Sequence, residues 1–191
     1  MKRRVVVTGM GTVNPIGNSV EESWAAAKAG KCGIAPITLY DPSEQKVKLA
    51  GEVKNLDLAA RIDKRDLRKM DRFTALAVAS LDMEKEDASR CGVLYASGIG
   101  GLGTIQTEHS KGLEKGFDRV SPFFIPMVIV NMAAGQIAIK YGFKGMCSAV
   151  VTACAGGSNA VGDAFRQIRD GYADLMLCGG AEGCVTPLSV G

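Results

Sequence analysis

The sequence predicts an α/β protein built from parallel βαβ units, and three observations carry that expectation. Short apolar or β-branched runs recur along the chain and alternate with longer stretches of helix-forming residues, the order produced by parallel strands with helical crossovers. Glycine is abundant, 24 of 191 residues, and clusters at the ends of those runs, where tight turns and close backbone approaches are needed. Hydrophobic residues make up 47% and charged residues 23%, which supplies enough apolar surface for a substantial core.

Residues 4–8 are a β-branched run ending in Gly9-Met10-Gly11, the expected first strand. Residues 21–29 are rich in helix formers, with Ser19 as cap and Gly30 as stop. Residues 31–60 are mixed, with a turn signal at Asp41-Pro42 and a short strand expected at 49–53. Residues 63–80 read as one helix, basic at its start and apolar at Phe73, Leu76, Ala77 and Val78. A buried strand is expected over 91–97, a glycine-rich turn over 98–103, and a helix over 104–115 stopped by Gly116. Ser121-Pro122-Phe123-Phe124-Ile125-Pro126 reads as a rigid apolar loop, and residues 128–141 as an amphipathic helix ending at Gly142. The series closes with a strand at 149–152, a helix at 155–169 stopped at Gly171, and a strand at 173–178.

Composition removes several classes of function. A net charge of +3 is too small to point to nucleic acid. The six cysteines (Cys32, Cys91, Cys147, Cys154, Cys178 and Cys184) form no C-x-x-C pair, and His109 is the single histidine, so a metal site is not expected. A chain of this size needs no disulfide staples, which favours free thiols in a reducing compartment. The opening Met1-Lys2-Arg3-Arg4-Val5-Val6-Val7 briefly resembles a signal peptide, but its apolar run breaks at Thr8-Gly9. No stretch is long and apolar enough to span a bilayer, so a cytoplasmic protein is expected.

One strand–turn–helix carries the chemistry. A strand ending in Thr152-Ala153 and leading straight into a helix at Ala155 puts Cys154 at a helix N-terminus, where free N–H groups and the macrodipole favour an anion. A thiol in that place can have its pKa lowered toward the physiological range, which makes it a candidate nucleophile. Ala153, Ala155, Gly156, Gly157 and Ser158 are all small and allow a long substrate tail to reach the sulfur. The competing reading is a small buried hydrophobe, and spacing alone leaves both open. The other five cysteines lack this context and read as packing residues. Gly98-Ile99-Gly100-Gly101-Leu102-Gly103 matches the dinucleotide pattern G-x-G-x-x-G, but no acidic residue ends a following strand, so a glycine-lined turn near the nucleophile is favoured. Arg61, Lys64, Arg65, Arg68 and Lys69 crowd one or two helical turns, either as a solvated face or as a dock for an acidic partner. His109 offers no base–nucleophile spacing to Cys154 and reads as a surface residue.

Taken together, these residues resemble the β-ketoacyl-acyl carrier protein synthases of the thiolase superfamily, in particular the type II condensing enzymes of fatty acid synthesis. The resemblance runs through residues 3–11, Arg68-Lys69-Met70-Asp71, Ser97-Gly98-Ile99-Gly100-Gly101-Leu102 and Ser121-Pro122-Phe123-Phe124-Ile125-Pro126. It continues through Asn131-Met132, Thr152-Ala153-Cys154 and Gly179-Gly180-Ala181-Glu182 with Thr186-Pro187-Leu188. It implies a thiolase-like fold, with residues 1–191 forming the first βαβαβαββ half of a duplicated, layered α-β-α-β-α architecture. It implies Cys154 as the catalytic nucleophile of a decarboxylative Claisen condensation, with its backbone N–H in the oxyanion hole. Ile99 would gate the acyl pocket, Phe124, Ile129 and Cys184 would line it, and Arg68 and Lys69 would meet the acidic acyl carrier protein bearing acyl and malonyl groups. A homodimer is implied for the full-length enzyme, with no cofactor, no metal, no nucleic acid and no membrane.

Two departures accompany the resemblance. The chain stops at Val190-Gly191, near the end of the first half of the fold, while the family's two histidines, a lysine and a gating phenylalanine belong to the second half. Ala79-Ser80 runs directly into Leu81-Asp82-Met83, shorter than the family pattern. A lone half would expose a wide apolar face, so poor solubility or a partner is expected. Two rival expectations follow: a non-catalytic carrier-binding or chain-length module, against which Cys154 argues, and a half-subunit completed in trans.

Overall fold

A computed structural model describes residues 3–83 and 88–191; Met1-Lys2 of the opening run and residues 84–87 beyond the shortened helix end lie outside the described residues. Residues 3–13 form no strand. Arg3 is tied to the turn before the last strand, its guanidinium bonding Asp174, and Thr12–Asn14 line a cavity with Gly180 and Ala181. The run between makes no ladder hydrogen bond, and Val6 and Val7 are exposed. β propensity needs a partnered, half-buried surface, and residues 4–8 find none.

Helix α1 (Val20–Lys28) forms as expected, with the Ser19 Oγ accepting from the Glu22 N–H and Gly30 turning the chain at φ +67°. A small antiparallel pair, β1 (Ile34–Pro36) and β2 (Leu49–Gly51), follows. Beside it the buried Glu52 carboxylate accepts from the N–H groups of Thr38 and Leu39 and from Thr38 Oγ1.

The expected single helix over 63–80 is two. Helix α2 (Lys64–Leu67) stops, and α3 (Arg72–Ala79) starts afresh because Asp71 is extended and caps the Phe73 N–H. The other Asp71 oxygen accepts from the N–H and Oγ1 of Thr104, 2.9 and 2.7 Å away. Asp71 thus joins two helix starts, and that arrangement outweighs helix continuity.

Strand β3 (Cys91–Ala96) is buried throughout. Its odd-numbered residues Cys91, Val93 and Tyr95 pack with Phe73, Ala77 and Ile137, while Leu94 and Ala96 pack with Ala160 and Ala164. The period-two alternation therefore covers both faces with helices. Helix α4 (Leu102–Lys115) follows, ended by Gly116. The expected rigid loop at 121–126 instead contains α5 (Phe124–Val128); Pro126 fits because N–H groups of a first helical turn need no partner. Ile129 is extended and ends that helix, so α6 (Met132–Tyr141) begins later than residue 128. Its buried positions Ala133, Ala134, Ile137 and Tyr141 keep the expected amphipathic spacing, and Gly142 closes it in the left-handed region.

The strand expected at 149–152 is displaced to β4 (Cys147–Ser148), since ladder pairing with β3 stops at Leu94↔Ser148. Helix α7 (Gly156–Arg169), strand β5 (Leu175–Gly180) and α8 (Pro187–Val190) complete the chain. The central sheet is parallel in the order β4–β3–β5. Helices α3 and α6 lie over one face and α7 over the other, a three-layer α/β/α arrangement.

Candidate active site

Cys154 lies in a single 3-10 turn, Ala153–Ala155, that joins the end of β4 to the start of α7. Ala153 enters the turn at φ +49°, a left-handed conformation that costs an L-residue about 1–2 kcal/mol. That turn aims Cys154 outward, and the residue is exposed rather than a packing element. Gly156 admits the close approach of α7 to the sheet: a Cβ there would stand 2.8 Å from that of Ala96. No side chain caps α7, so its first-turn N–H groups and the positive end of the 14-residue helix face the neighbourhood of the sulfur.

The sulfur faces an open cleft of about 800 Å³. Ser97, Gly98, Ile99, Val151, Gly157 and Glu182 line it together with Cys154. Ile99 is 47% exposed and stands on the lip of this cleft. Its loop is held from two sides. On one, the Gly101 N–H donates to the Val128 carbonyl at the end of α5, 3.0 Å away, and a Cβ on Gly101 would come within 2.5 Å of the Met127 oxygen. On the other, the Glu182 carboxylate accepts from Gly98 N–H at 2.8 Å, Ile99 N–H at 3.2 Å and Ser97 Oγ at 3.1 Å. The glycine run is therefore filled by protein groups where a dinucleotide loop would present free N–H groups to phosphate.

The cleft unites Cys154 with Ile99; Phe124, Ile129 and Cys184 are not among its lining residues. Phe124 and Ile129 stand at the two ends of α5, the helix that abuts the Ile99 loop. Cys184 follows Glu182 by two residues, and burial, then the Glu182 charge, pushes its thiol above the ordinary value. Burial likewise raises the thiols of Cys147 and Cys178. The packing reading holds for buried Cys91 and half-buried Cys178; Cys32 and Cys147 are exposed instead, Cys32 lying ahead of β1 and Cys147 opening the edge strand β4.

The break between α2 and α3 dissolves the single basic helical face expected for Arg61, Lys64, Arg65, Arg68 and Lys69. Arg61 is outside the helix, and its guanidinium donates to the carbonyls of Ala79 and Asn18. Arg68 and Lys69 remain exposed between the helices, with the Lys69 ammonium 5.3 Å above the Phe123 ring, one residue before α5. Nearby, Glu108 accepts from the Ser121 N–H at 2.7 Å; this bond and the Lys111 ammonium hold its carboxyl below its usual value. His109 is exposed on α4, 6.3 Å from Phe117 between ring centres, and takes no part in the cleft lining. Sequence reasoning assigned no role to Ser97 or Glu182, although both stood in quoted motifs; a carboxylate after a strand-ending Gly-Gly was the available signal.

Comparison with known proteins places this geometry. The sequence matches the family model of the beta-ketoacyl synthase N-terminal domain over residues 2–191. It is 46% identical to 3-oxoacyl-[acyl-carrier-protein] synthase 2 of Synechocystis sp. across 98% of this chain and 47% of that protein. It is 45% identical to the Staphylococcus aureus protein of the same name across 98% of this chain and 48% of the relative. The chain thus spans about half the length of these relatives. Among solved structures, a β-ketoacyl synthase from Burkholderia phymatum superposes with a TM-score of 0.80 at 29% identity, covering 99% of this chain and 49% of that one. A ketosynthase in complex with its type II polyketide acyl carrier protein gives 0.82 at 26% identity, covering 100% of this chain and 53% of that one. The fold is thiolase-like, and the site is a thiol at a helix start facing an open cleft. The chain belongs to the β-ketoacyl synthase family.

Proposed function

We propose that residues 1–191 form the nucleophile-bearing N-terminal domain of a 3-oxoacyl-acyl carrier protein synthase, an acyltransferase of fatty acid biosynthesis. The observation that carries this reading is the exposed Cys154 at the start of α7, with Ile99 across the cleft from it. In the first step the Cys154 thiolate attacks the acyl carbonyl carbon of an acyl-carrier thioester. The new S–C bond forms, the carrier's C–S bond breaks, and the carrier sulfur leaves as a thiolate that takes up the proton given up by the Cys154 thiol. In the second, malonyl-carrier loses carbon dioxide, and the resulting enolate carbon attacks the Cys154 thioester. The C–C bond forms, the C–S bond breaks, and the thiolate returns. The Cys154 N–H supplies one oxyanion donor, and the dipole of α7 favours the tetrahedral oxyanion.

His109 stands away from the cleft lining and is therefore not placed to serve as the general acid–base group of the decarboxylation. Arg68 and Lys69 present exposed cations to an acidic carrier protein, a partner supported by the carrier-bound structural relative. Assembly of the complete enzyme as a homodimer in the cytoplasm belongs to the same reading. Among the described residues, no helix is long and apolar enough to cross a membrane.

The test is mass spectrometry after incubation with acyl-carrier protein, comparing the chain with Cys154→Ser, in the presence and absence of the C-terminal half of a relative. An acyl adduct on the Cys154 peptide, lost in the variant, is the expected result. An adduct on another cysteine, or none even in the completed protein, would overturn the assignment.

A further inference from the structure

We propose that Glu182 is a positioning residue that holds Ile99 at the mouth of the cleft and so sets which acyl chain lengths reach Cys154. This role rests on the reading of the cleft as an acyl site. One carboxylate gathers donors from three consecutive residues: Ser97 Oγ, Gly98 N–H and Ile99 N–H. Ser97 Oγ in turn accepts from the Gly100 N–H at 3.0 Å, so the backbone from 97 to 100 is tied, directly or through one hydroxyl, to Glu182. The segment has little else to fix it on the cleft side. Gly98 and Gly100 have no side chains, and Gly100 sits at φ +73°.

The brace also spans two strands. Residues 97–100 leave β3, whereas Glu182 leaves β5, and the strands pair up to Ala96↔Gly180, with the Ala181 N–H donating to the Ala96 carbonyl. Glu182 therefore sets the loop directly beyond the sheet end, beside the turn that carries Cys154 into α7. Ile99 is nearly half exposed and belongs to neither buried cluster, so the backbone brace is what fixes its place at the cleft. One Glu182 oxygen accepts from the N–H groups of Gly98 and Ile99, and the other from the Ser97 hydroxyl. A glutamine would turn its NH₂ toward one of them and satisfy the rest.

The experiment compares the 191-residue chain with Glu182→Ala, Glu182→Gln and Ser97→Ala. Amide hydrogen exchange is read across residues 97–101. The rates at which Cys154 is alkylated by iodoacetamide and by its N-dodecyl analogue are measured by peptide mass spectrometry. Losing hydrogen bonds to a charged acceptor loosens the loop, so Glu182→Ala is expected to lower the short-to-long rate ratio about tenfold, with faster exchange at 98–100. Glu182→Gln and Ser97→Ala are expected to move both readouts part of the way. If Glu182→Ala does not fold, those two variants decide. An unchanged ratio and unchanged exchange would overturn the proposal, and so would equal slowing of both probes, which marks a purely structural role. Because alkylation needs no acyl donor, a shifted ratio with no acyl adduct on Cys154 even in the completed protein would sink the proposed function and keep the brace.

Discussion

Ala153 holds a backbone conformation that glycine or asparagine usually takes, directly before the nucleophile. The flanking small residues made the strand–turn–helix around Cys154 legible, but nothing at position 153 signalled a left-handed residue. That conformation is imposed by the need to leave β4 and enter α7 within a few residues. The strain makes a signed prediction. Ala153→Gly relieves the steric cost but frees the unfolded chain, leaving a net gain of about 0.5 kcal/mol or less. Ala153→Val puts a β-branched side chain at positive φ and is expected to cost about 1–2 kcal/mol. Urea unfolding of both variants checks the order; a valine variant as stable as the parent would show that the turn does not need this conformation.

At the level of elements, patterns that depend on local chemistry were readable and those that depend on distant partners were not. Ser19, Gly30, Gly116 and Gly142 marked helix ends correctly because a cap or a positive φ is a property of a few neighbouring residues. The break at Asp71 was hidden because its cause is Thr104, 33 residues away. The run at 4–8 has strand composition, yet a strand exists only where a ladder partner does. The same Asp71 gives a prediction at this scale. Asp71→Ala removes the cap of α3 and strips the buried Thr104 N–H and hydroxyl of their acceptor, an expected cost of about 2–3 kcal/mol. Thr104→Val keeps the cap and is expected to cost about 1 kcal/mol. Equal losses in the two variants, read by urea unfolding, would mean that neither the cap nor the bond from the Thr104 N–H contributes.

For the whole molecule, the carboxylates and the thiols and phenols bound stability from opposite sides. Glu52 is buried, which alone would raise its carboxyl. The Thr38 hydroxyl and the N–H groups of Thr38 and Leu39 outweigh that and hold it below its ordinary 4.5. The Asp174 carboxyl is lowered to about 2, first by hydrogen bonds from Arg90 and then by those from Arg3. A carboxyl lowered by folding contributes stability above its unfolded value and loses it as pH falls through the folded one. The acid limb therefore begins below 4.5 and, for Asp174, runs from 3.8 to about 2. On the other side, burial raises Cys147, Cys178 and Cys184 above 9.0 and Tyr95 and Tyr141 above 10.0. Groups raised by folding contribute fully below their unfolded values and lose that contribution as pH rises through the folded ones. Melting temperature is thus expected to be level between about pH 5 and 8 and to fall on both sides. Asp174 is half exposed, so its share should shrink with added salt, and Asp174→Asn should flatten the acid limb below 3.8 while leaving the alkaline limb unchanged. Scanning calorimetry across this range, at low and high salt, would contradict the assignment if the variant's acid limb matched that of the parent.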